Sequence, residues 1–268
     1  MTALARSFKK TYAFLFARKA FYPLHLFLYK LSLSGLGIRN YENDHLSGEK
    51  AFIRYLLATG RLHTGVILDI GANIGHYSIM LRQHEIQLPI YAFEPHPTAY
   101  QQLAAAAEIH AFTPVPKGAG ATASTAIIYD YSGNGGSEHA SMYKAVIEDL
   151  HHGEAQASAI VLTTIDEFVD RHRINRIALL KIDTEGHELP VLQGAQRTLS
   201  QGLADVIQIE FNEMNIISRT FFKDLVEILA GYDFYRLLPD GLQPLGDYNA
   251  LQYEIFAFQN IVAIRCNS

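Results

Sequence analysis

The chain is poor in the features that mark extracellular and membrane-spanning proteins. Its 268 residues hold one cysteine, Cys266, so no disulfide framework can form within one chain, and a reducing, cytoplasmic setting is expected. Cys266 lies close to the chain's end and reads as an incidental thiol. There is no internal repeat, no low-complexity tract, and no linker rich in Pro, Gly or Ser that would separate a second domain. The histidines lack zinc spacing; His151 and His152 are adjacent and would diverge on a helix or a strand. Residues 1–41 contain no acidic residue, and their longest stretch without Lys or Arg is ten residues, Ala20–Tyr29, interrupted by Pro23. A spanning helix needs about 20 apolar residues, so no transmembrane segment is expected there. The uninterrupted apolar region and small-residue cleavage site of a secretory signal are also missing.

What residues 1–41 do contain is seven basic side chains (Arg6, Lys9, Lys10, Arg18, Lys19, Lys30 and Arg39) and eight aromatic ones from Phe8 to Tyr29, before Tyr41. The remainder carries 15 basic against 27 acidic residues. Two readings of residues 1–40 stand open. They form either an interfacial basic and aromatic element on an anionic leaflet, or a helical lid whose aromatics pack on the domain at 41–268. Nucleic acid is disfavoured, because the acidic body offers no basic footprint.

Three short segments carry the chemistry: Asp69-Ile-Gly-Ala-Asn-Ile-Gly75, Phe93-Glu94-Pro95 and Lys181-Ile-Asp-Thr-Glu-Gly-His-Glu188. Each follows an apolar, β-rich run, so each sits where a buried parallel strand would end, and ligands bind outside those carboxyl ends. Gly71 and Gly75 suit a tight strand-to-helix turn. The dinucleotide fingerprint would need glycines at 71, 73 and 76, where the chain has Gly71, Asn73 and His76. Asp69 aimed into the crevice would repel a pyrophosphate and suit a cationic amino-acid group or a sulfonium. Glu94, 19 residues after Gly75, can accept from both hydroxyls of a ribose. These features favour S-adenosylmethionine over nicotinamide and flavin dinucleotides.

With Val191-Leu-Gln-Gly-Ala195 and Ser47-Gly-Glu49, the three segments resemble the FkbM family of S-adenosylmethionine-dependent methyltransferases over roughly residues 41–265. The resemblance implies a doubly wound, Rossmann-like class I methyltransferase sheet of seven mostly parallel strands with an antiparallel closing hairpin. It implies cofactor binding by Asp69, Gly71, Asn73, Gly75, Glu94 and Pro95, and methyl transfer to a hydroxyl. The expected acceptor is a sugar in a glycan or glycolipid. A soluble secondary metabolite is the other enzymatic reading, and a non-catalytic S-adenosylmethionine-binding scaffold the rival of another class. Peripheral contact with the inner membrane face is the one membrane expectation.

The alternation of patterns predicts helices at 49–59, 75–83, 98–108, 165–173, 190–199 and 220–230. Strands are predicted at 65–70, 89–93, 112–116, 177–182 and 205–211, a pair at 123–131 and 158–164, and a closing pair at 234–238 and 254–265. Ser132–Ser137 reads as a glycine-rich loop. Methyl transfer needs alignment and a base for the hydroxyl proton. The candidates are Asp183, Glu185 and His187, with Lys181 offsetting the charge of Asp183 because residues 181, 183 and 185 share a face in extended chain. Structural readings stand beside them: Lys181–Asp183 as an ion pair and His187 as a helix cap. Asp183, Glu185 and Glu210 could also suit a divalent cation, but sequence does not give their separation and no metal site is assigned.

Overall fold

The computed structural model describes residues 3–132, 137 and 139–266. Most of the expected glycine-rich loop, residues 133–136, lies outside them. In chain order the helices are α1 (Ala3–Phe16), α2 (Tyr22–Gly35), α3 (Glu49–Ala58), α4 (His76–Gln83), α5 (Pro97–His110), α6 (Ile165–His172), α7 (Glu188–Gln193), α8 (Gln196–Ser200), α9 (Met214–Ser218), α10 (Phe222–Ile228) and α11 (Ala250–Tyr253). The strands are β1 (Val66–Ile70), β2 (Ile90–Phe93), β3 (Thr113–Val115), β4 (Gly118–Ala119), β5 (Ser124–Tyr131), β6 (Ala155–Thr163), β7 (Ile177–Ile182), β8 (Val206–Phe211), β9 (Tyr232–Leu238), β10 (Gly241–Pro244) and β11 (Gln259–Arg265).

Eight strands form one twisted sheet in the order β10-β9-β11-β8-β7-β1-β2-β3. Strands β3, β2, β1, β7 and β8 run parallel, and β11 inserts antiparallel between β8 and β9. All six residues of β7 are buried, as a strand covered on both faces by helices requires. Pro114 sits on β3, an edge strand, where its missing N–H costs no ladder bond. Alternate β1 residues feed two cores: Leu68 and Ile70 face α6 and α7, while Ile67 faces α4 and α5.

The eighth strand corrects the expected seven. Pro239 and Asp240 form a two-residue turn that folds β10 back on β9. The expected helix at 190–199 is two helices. Gly194 passes so close to Gly120 that a Cβ would lie 2.1 Å from its carbonyl oxygen, and the chain breaks there. Residues 254–258 do not extend the last strand, which starts only at Gln259, after the short helix capped by the Asn249 side chain.

The expected strand pair forms a second sheet, β4-β6-β5, with β5 and β6 antiparallel. Between these strands a π-helical turn at Val146–Leu150 packs Val146 and Ile147 with Met214 of α9.

Candidate functional site

The strand order reverses between β1 and β7, and outside their carboxyl ends lies a cleft of about 1310 Å³ lined by Gly71, Glu94, Asp183 and Glu210 among others. The strand-to-helix turn closes its own hydrogen bonds. Gly71 and Ala72 donate to the Phe93 carbonyl (3.0 and 2.8 Å), and Gly75 donates to Ala72 (2.8 Å). Asn73 N–H donates to Glu94 Oε2 at 2.9 Å, and Ile74 N–H to the Asn73 side chain at 2.8 Å. Every backbone N–H from 71 to 75 is thus used, and the turn presents no open nest for a pyrophosphate.

Gly71 is required for a reason other than ligand approach. Its φ is +83°, and a Cβ there would lie 1.7 Å from the Asp183 carbonyl oxygen, because the chain leaving β7 runs beside the turn that leaves β1, its parallel neighbour. Gly75, at φ +95°, turns its missing side chain toward Leu103 and Phe112.

Glu94 is 6% exposed, with Oε1 accepting from His96 N–H at 2.7 Å and Oε2 from Asn73 N–H. Burial pushes its pKa up to about 7 against these two hydrogen bonds, with Asp69 and Asp130 adding to the rise. Both oxygens keep further lone pairs, and the residue lines the cleft with Pro95.

Asp69 departs from the expected orientation. It is fully buried, does not line the cleft, and points to the α4 face, where Ser78 Oγ donates to it at 2.7 Å. Strand parity dictates this: residue 69 shares its face with Ile67, beneath α4. Its other oxygen has no hydrogen-bond partner. Asp69 lies in register with Lys181, and Lys181 with Gln208, so a polar rung crosses three central strands.

Lys181 is buried, donates to Asp183 at 2.9 Å, and stands 4.9 Å from the centre of the Tyr77 ring. Burial alone would lower its pKa, but Asp183, Asp69 and Glu49 hold it above the usual lysine range. Behind it, Tyr77 donates to Gln208 (2.6 Å), and Gln208 donates to Glu49 and Asn260 (both 3.0 Å). The sequence reading missed Tyr77, Gln208 and Asn260 as site residues. The one available signal was a glutamine in the middle of the apolar run Val206-Ile-Gln-Ile-Glu-Phe211.

Asp183, Glu185 and Glu210 converge, each offering an oxygen within 4.8 Å of the others. Glu185 leaves the strand at φ +51° and accepts from Asn212 (3.3 Å), with His139 Nδ1 at 3.4 Å. Burial pushes Glu185 up to about 7, eased by the His139 contact and reinforced by Asp183. Burial, then Asp183 and Glu185, push Glu210 well above the ordinary carboxylate range. The cluster has the donor chemistry for Mg²⁺ or Ca²⁺ and equally that of a tuned base.

Glu188 is occupied structurally. It accepts from Thr184, Gly186 and Asn215, which fixes the loop at 183–188.

His187 lines the cleft, but neither ring nitrogen has a hydrogen-bond partner, and burial lowers its pKa to about 4. It starts α7 without making a side-chain cap.

The strand order, with its inserted antiparallel strand, is that of a class I methyltransferase. The profile of the methyltransferase FkbM domain matches residues 69–235, more than half of the sequence, and the chain belongs to that family. Hexuronic acid methyltransferase AglP of Haloferax volcanii is 27% identical over 165 residues, 61% of this chain and 63% of that protein. The crystal structure of methyltransferase FkbM from Methylobacillus flagellatus KT superposes with a TM-score of 0.45 at 16% identity, covering 75% of this chain and 43% of that one. Magnesium protoporphyrin IX methyltransferase from Synechocystis PCC 6803, solved with bound SAM, gives a TM-score of 0.39 at 14% identity over 80% of this chain and 76% of that one. No helix among the described residues is long and apolar enough to cross a membrane.

Proposed function

We propose that this chain is an S-adenosylmethionine-dependent O-methyltransferase acting on a sugar hydroxyl of a glycan or glycolipid. The observation that carries the cofactor reading is the turn at 71–75, whose amides are all used internally while carboxylates stand around the cleft. Such a site disfavours a pyrophosphate and tolerates a cation. The sugar reading is supported by the likeness to a hexuronic acid methyltransferase.

In this reading Glu94 accepts from the ribose hydroxyls, and Gly71, Asn73 and Pro95 shape the wall around the nucleoside. Gly75 and Asp69 act from beneath, Gly75 by packing and Asp69 by holding α4 and balancing Lys181. S-adenosylmethionine, when bound, supplies a methyl group activated by a sulfonium. The acceptor hydroxyl lies over the Asp183, Glu185 and Glu210 cluster. As its oxygen forms the new bond to the methyl carbon and the carbon–sulfur bond breaks, one of these carboxylates takes the hydroxyl proton. Lys181 offsets the charge of Asp183 through their 2.9 Å ion pair, and burial, reinforced by Asp183, raises Glu185 to about 7, the range of an effective base. A second arrangement, a divalent cation aligning the acceptor, is supported by the 4.8 Å clustering of the same three oxygens.

Titration calorimetry tests the cofactor reading. Saturable binding of S-adenosylhomocysteine is expected, and Glu94→Ala should weaken it about 5- to 150-fold, the worth of two hydrogen bonds at roughly 0.5–1.5 kcal/mol each. Unchanged affinity removes Glu94 from the ribose; tight binding of a nicotinamide cofactor overturns the whole reading.

The pH profile tests the base. A carboxylate at about 7 accepts a proton only when ionised, so kcat/KM should climb with pH and level off above that value. A rate flat from pH 5 to 9 would exclude Glu185.

A further inference from the structure

Helices α1 and α2 stand out because most of their large apolar side chains are exposed. Leu4, Phe8 and Phe14 are 82%, 71% and 71% exposed, and Leu24, Phe27 and Leu31 are 51%, 57% and 54% exposed. This exposure favours the surface element over the helical lid; Leu33 is the buried residue of α2. The pair is instead held to itself: Tyr12 meets His25 (3.4 Å), and the Phe16 and Phe21 rings lie 5.4 Å apart.

On α1 the residues Leu4, Phe8, Tyr12 and Leu15 share one helical face, while Arg6, Lys9 and Lys10 fall on the other. On α2, Leu24, Phe27, Leu28 and Leu31 form a second stripe at helical spacing. Monomers rarely expose apolar surface of this extent.

We propose that the α1–α2 pair docks on an anionic phospholipid surface, lying in the interface with its apolar faces in the acyl boundary and its basic residues at the headgroups. Each helix has 14 residues, about 21 Å at about 1.5 Å per residue, well short of the roughly 30 Å hydrocarbon core. The pair therefore lies on the bilayer. Charge selects the partner: seven basic and no acidic residues stand in the first 41, on a chain whose net charge is −5. A second copy of the chain fits less well, because it would bring the two basic segments together. The chain leaves α2 into the cleft wall, where Arg39, Tyr41 and Asn43 are among the lining residues. Docking thus brings this part of the cleft wall, a few residues beyond α2, near the membrane. The surface stands independently of the methyl-transfer reading.

Flotation of the full chain with phosphatidylglycerol/phosphatidylcholine vesicles and with pure phosphatidylcholine vesicles tests this. Binding should need the anionic lipid, fall as salt rises, and drop about 30-fold in Lys9→Gln/Lys10→Gln, taking roughly 1 kcal/mol per charge near the surface. Phe8→Ser/Phe27→Ser, one residue from each apolar stripe, should lower it at least about 10-fold through lost apolar burial. Both variants should keep the melting temperature and the S-adenosylhomocysteine affinity of the parent, which separates lost docking from a damaged fold. Equal recovery of parent and variants in the unfloated fraction overturns the proposal. So does concentration-dependent self-association, measured by sedimentation, that the phenylalanine variant abolishes without any vesicle binding in the parent.

Discussion

An alanine at position 71 is expected to lower the melting temperature by at least about 6–12 °C, the equivalent of about 3 kcal/mol at this chain length, and to abolish cofactor binding in the fraction that folds. Two costs add. The residue holds φ at +83°, where a side chain costs roughly 1–2 kcal/mol. The new Cβ would also stand 1.7 Å from the Asp183 carbonyl oxygen, and backbone must yield. Gly231→Ala isolates the first cost, since its φ is +98° and nothing lies within 4 Å of the added carbon. Gly75→Ala falls between, because Leu103 Cδ1 at 3.0 Å and Phe112 Cζ at 3.1 Å are side-chain atoms that can shift. Thermal melts of the three variants should therefore rank 231, 75, 71 in increasing damage. Equal losses at 71 and 231 would mean the approach of Gly71 to the Asp183 carbonyl is looser than the geometry states.

The central strands were legible because burial on both faces leaves an unambiguous apolar run. Ile177–Ile182 was expected at the same bounds, and Gly71, Glu94 and Asp183 at strand ends followed from those runs. What sequence pattern did not carry was orientation across strands. Asp69 was expected in the cleft, yet parity with Ile67 turns it under α4 to Ser78. Which residues meet across the sheet depends on register, so the rung from Asp69 through Lys181 to Gln208 exists only once β1, β7 and β8 are paired. The same holds for the carboxylates. Asp183 and Glu185 are two apart in sequence, but Glu210 comes from the next strand, and its approach to within 4.8 Å is a property of the fold.

Elements at the edges were less legible for a different reason. β10 has four residues with little apolar content, and a paired strand at a sheet's rim needs no inward face. The helices after β7 break at Gly194 because a backbone from another part of the chain, Gly120, passes there. For residues 1–40 pattern gave the composition but not the choice between lid and surface element. The exposure of the α1 and α2 aromatics is what favours the surface element.

Asp183→Asn or Glu185→Gln should lower the methylation rate about 10²- to 10⁴-fold if the carboxylate cluster removes the acceptor proton, with S-adenosylhomocysteine affinity nearly unchanged. The two substitutions keep shape and remove charge, and they differ in what else they disturb. Asp183→Asn leaves Lys181 without its 2.9 Å partner, though Asp69 and Glu49 still stabilise the buried cation. A stability loss should therefore accompany it. Glu185→Gln makes the cluster less repulsive and should cost little stability.

If Glu185 is the base, its variant loses the rising limb near pH 7 along with the rate. If Asp183 is the base, Glu185→Gln keeps most of the rate while Asp183→Asn loses it. His187→Ala is the control within the same loop. With a pKa near 4 it is a weak proton acceptor, so its loss should stay within about 10-fold. A purely structural Lys181–Asp183 pair predicts lower melting temperature with activity per folded molecule kept. A cation held by Asp183, Glu185 and Glu210 predicts that EDTA abolishes turnover and Mg²⁺ or Mn²⁺ restores it, and that any of the three variants weakens metal binding. The assay uses labelled methyl donor with a panel of uronic-acid-containing and neutral glycans, soluble and lipid-linked. Near-parental turnover in both carboxylate variants, with no chelator effect, would leave alignment of the acceptor, and not proton removal, as the contribution of this strand end.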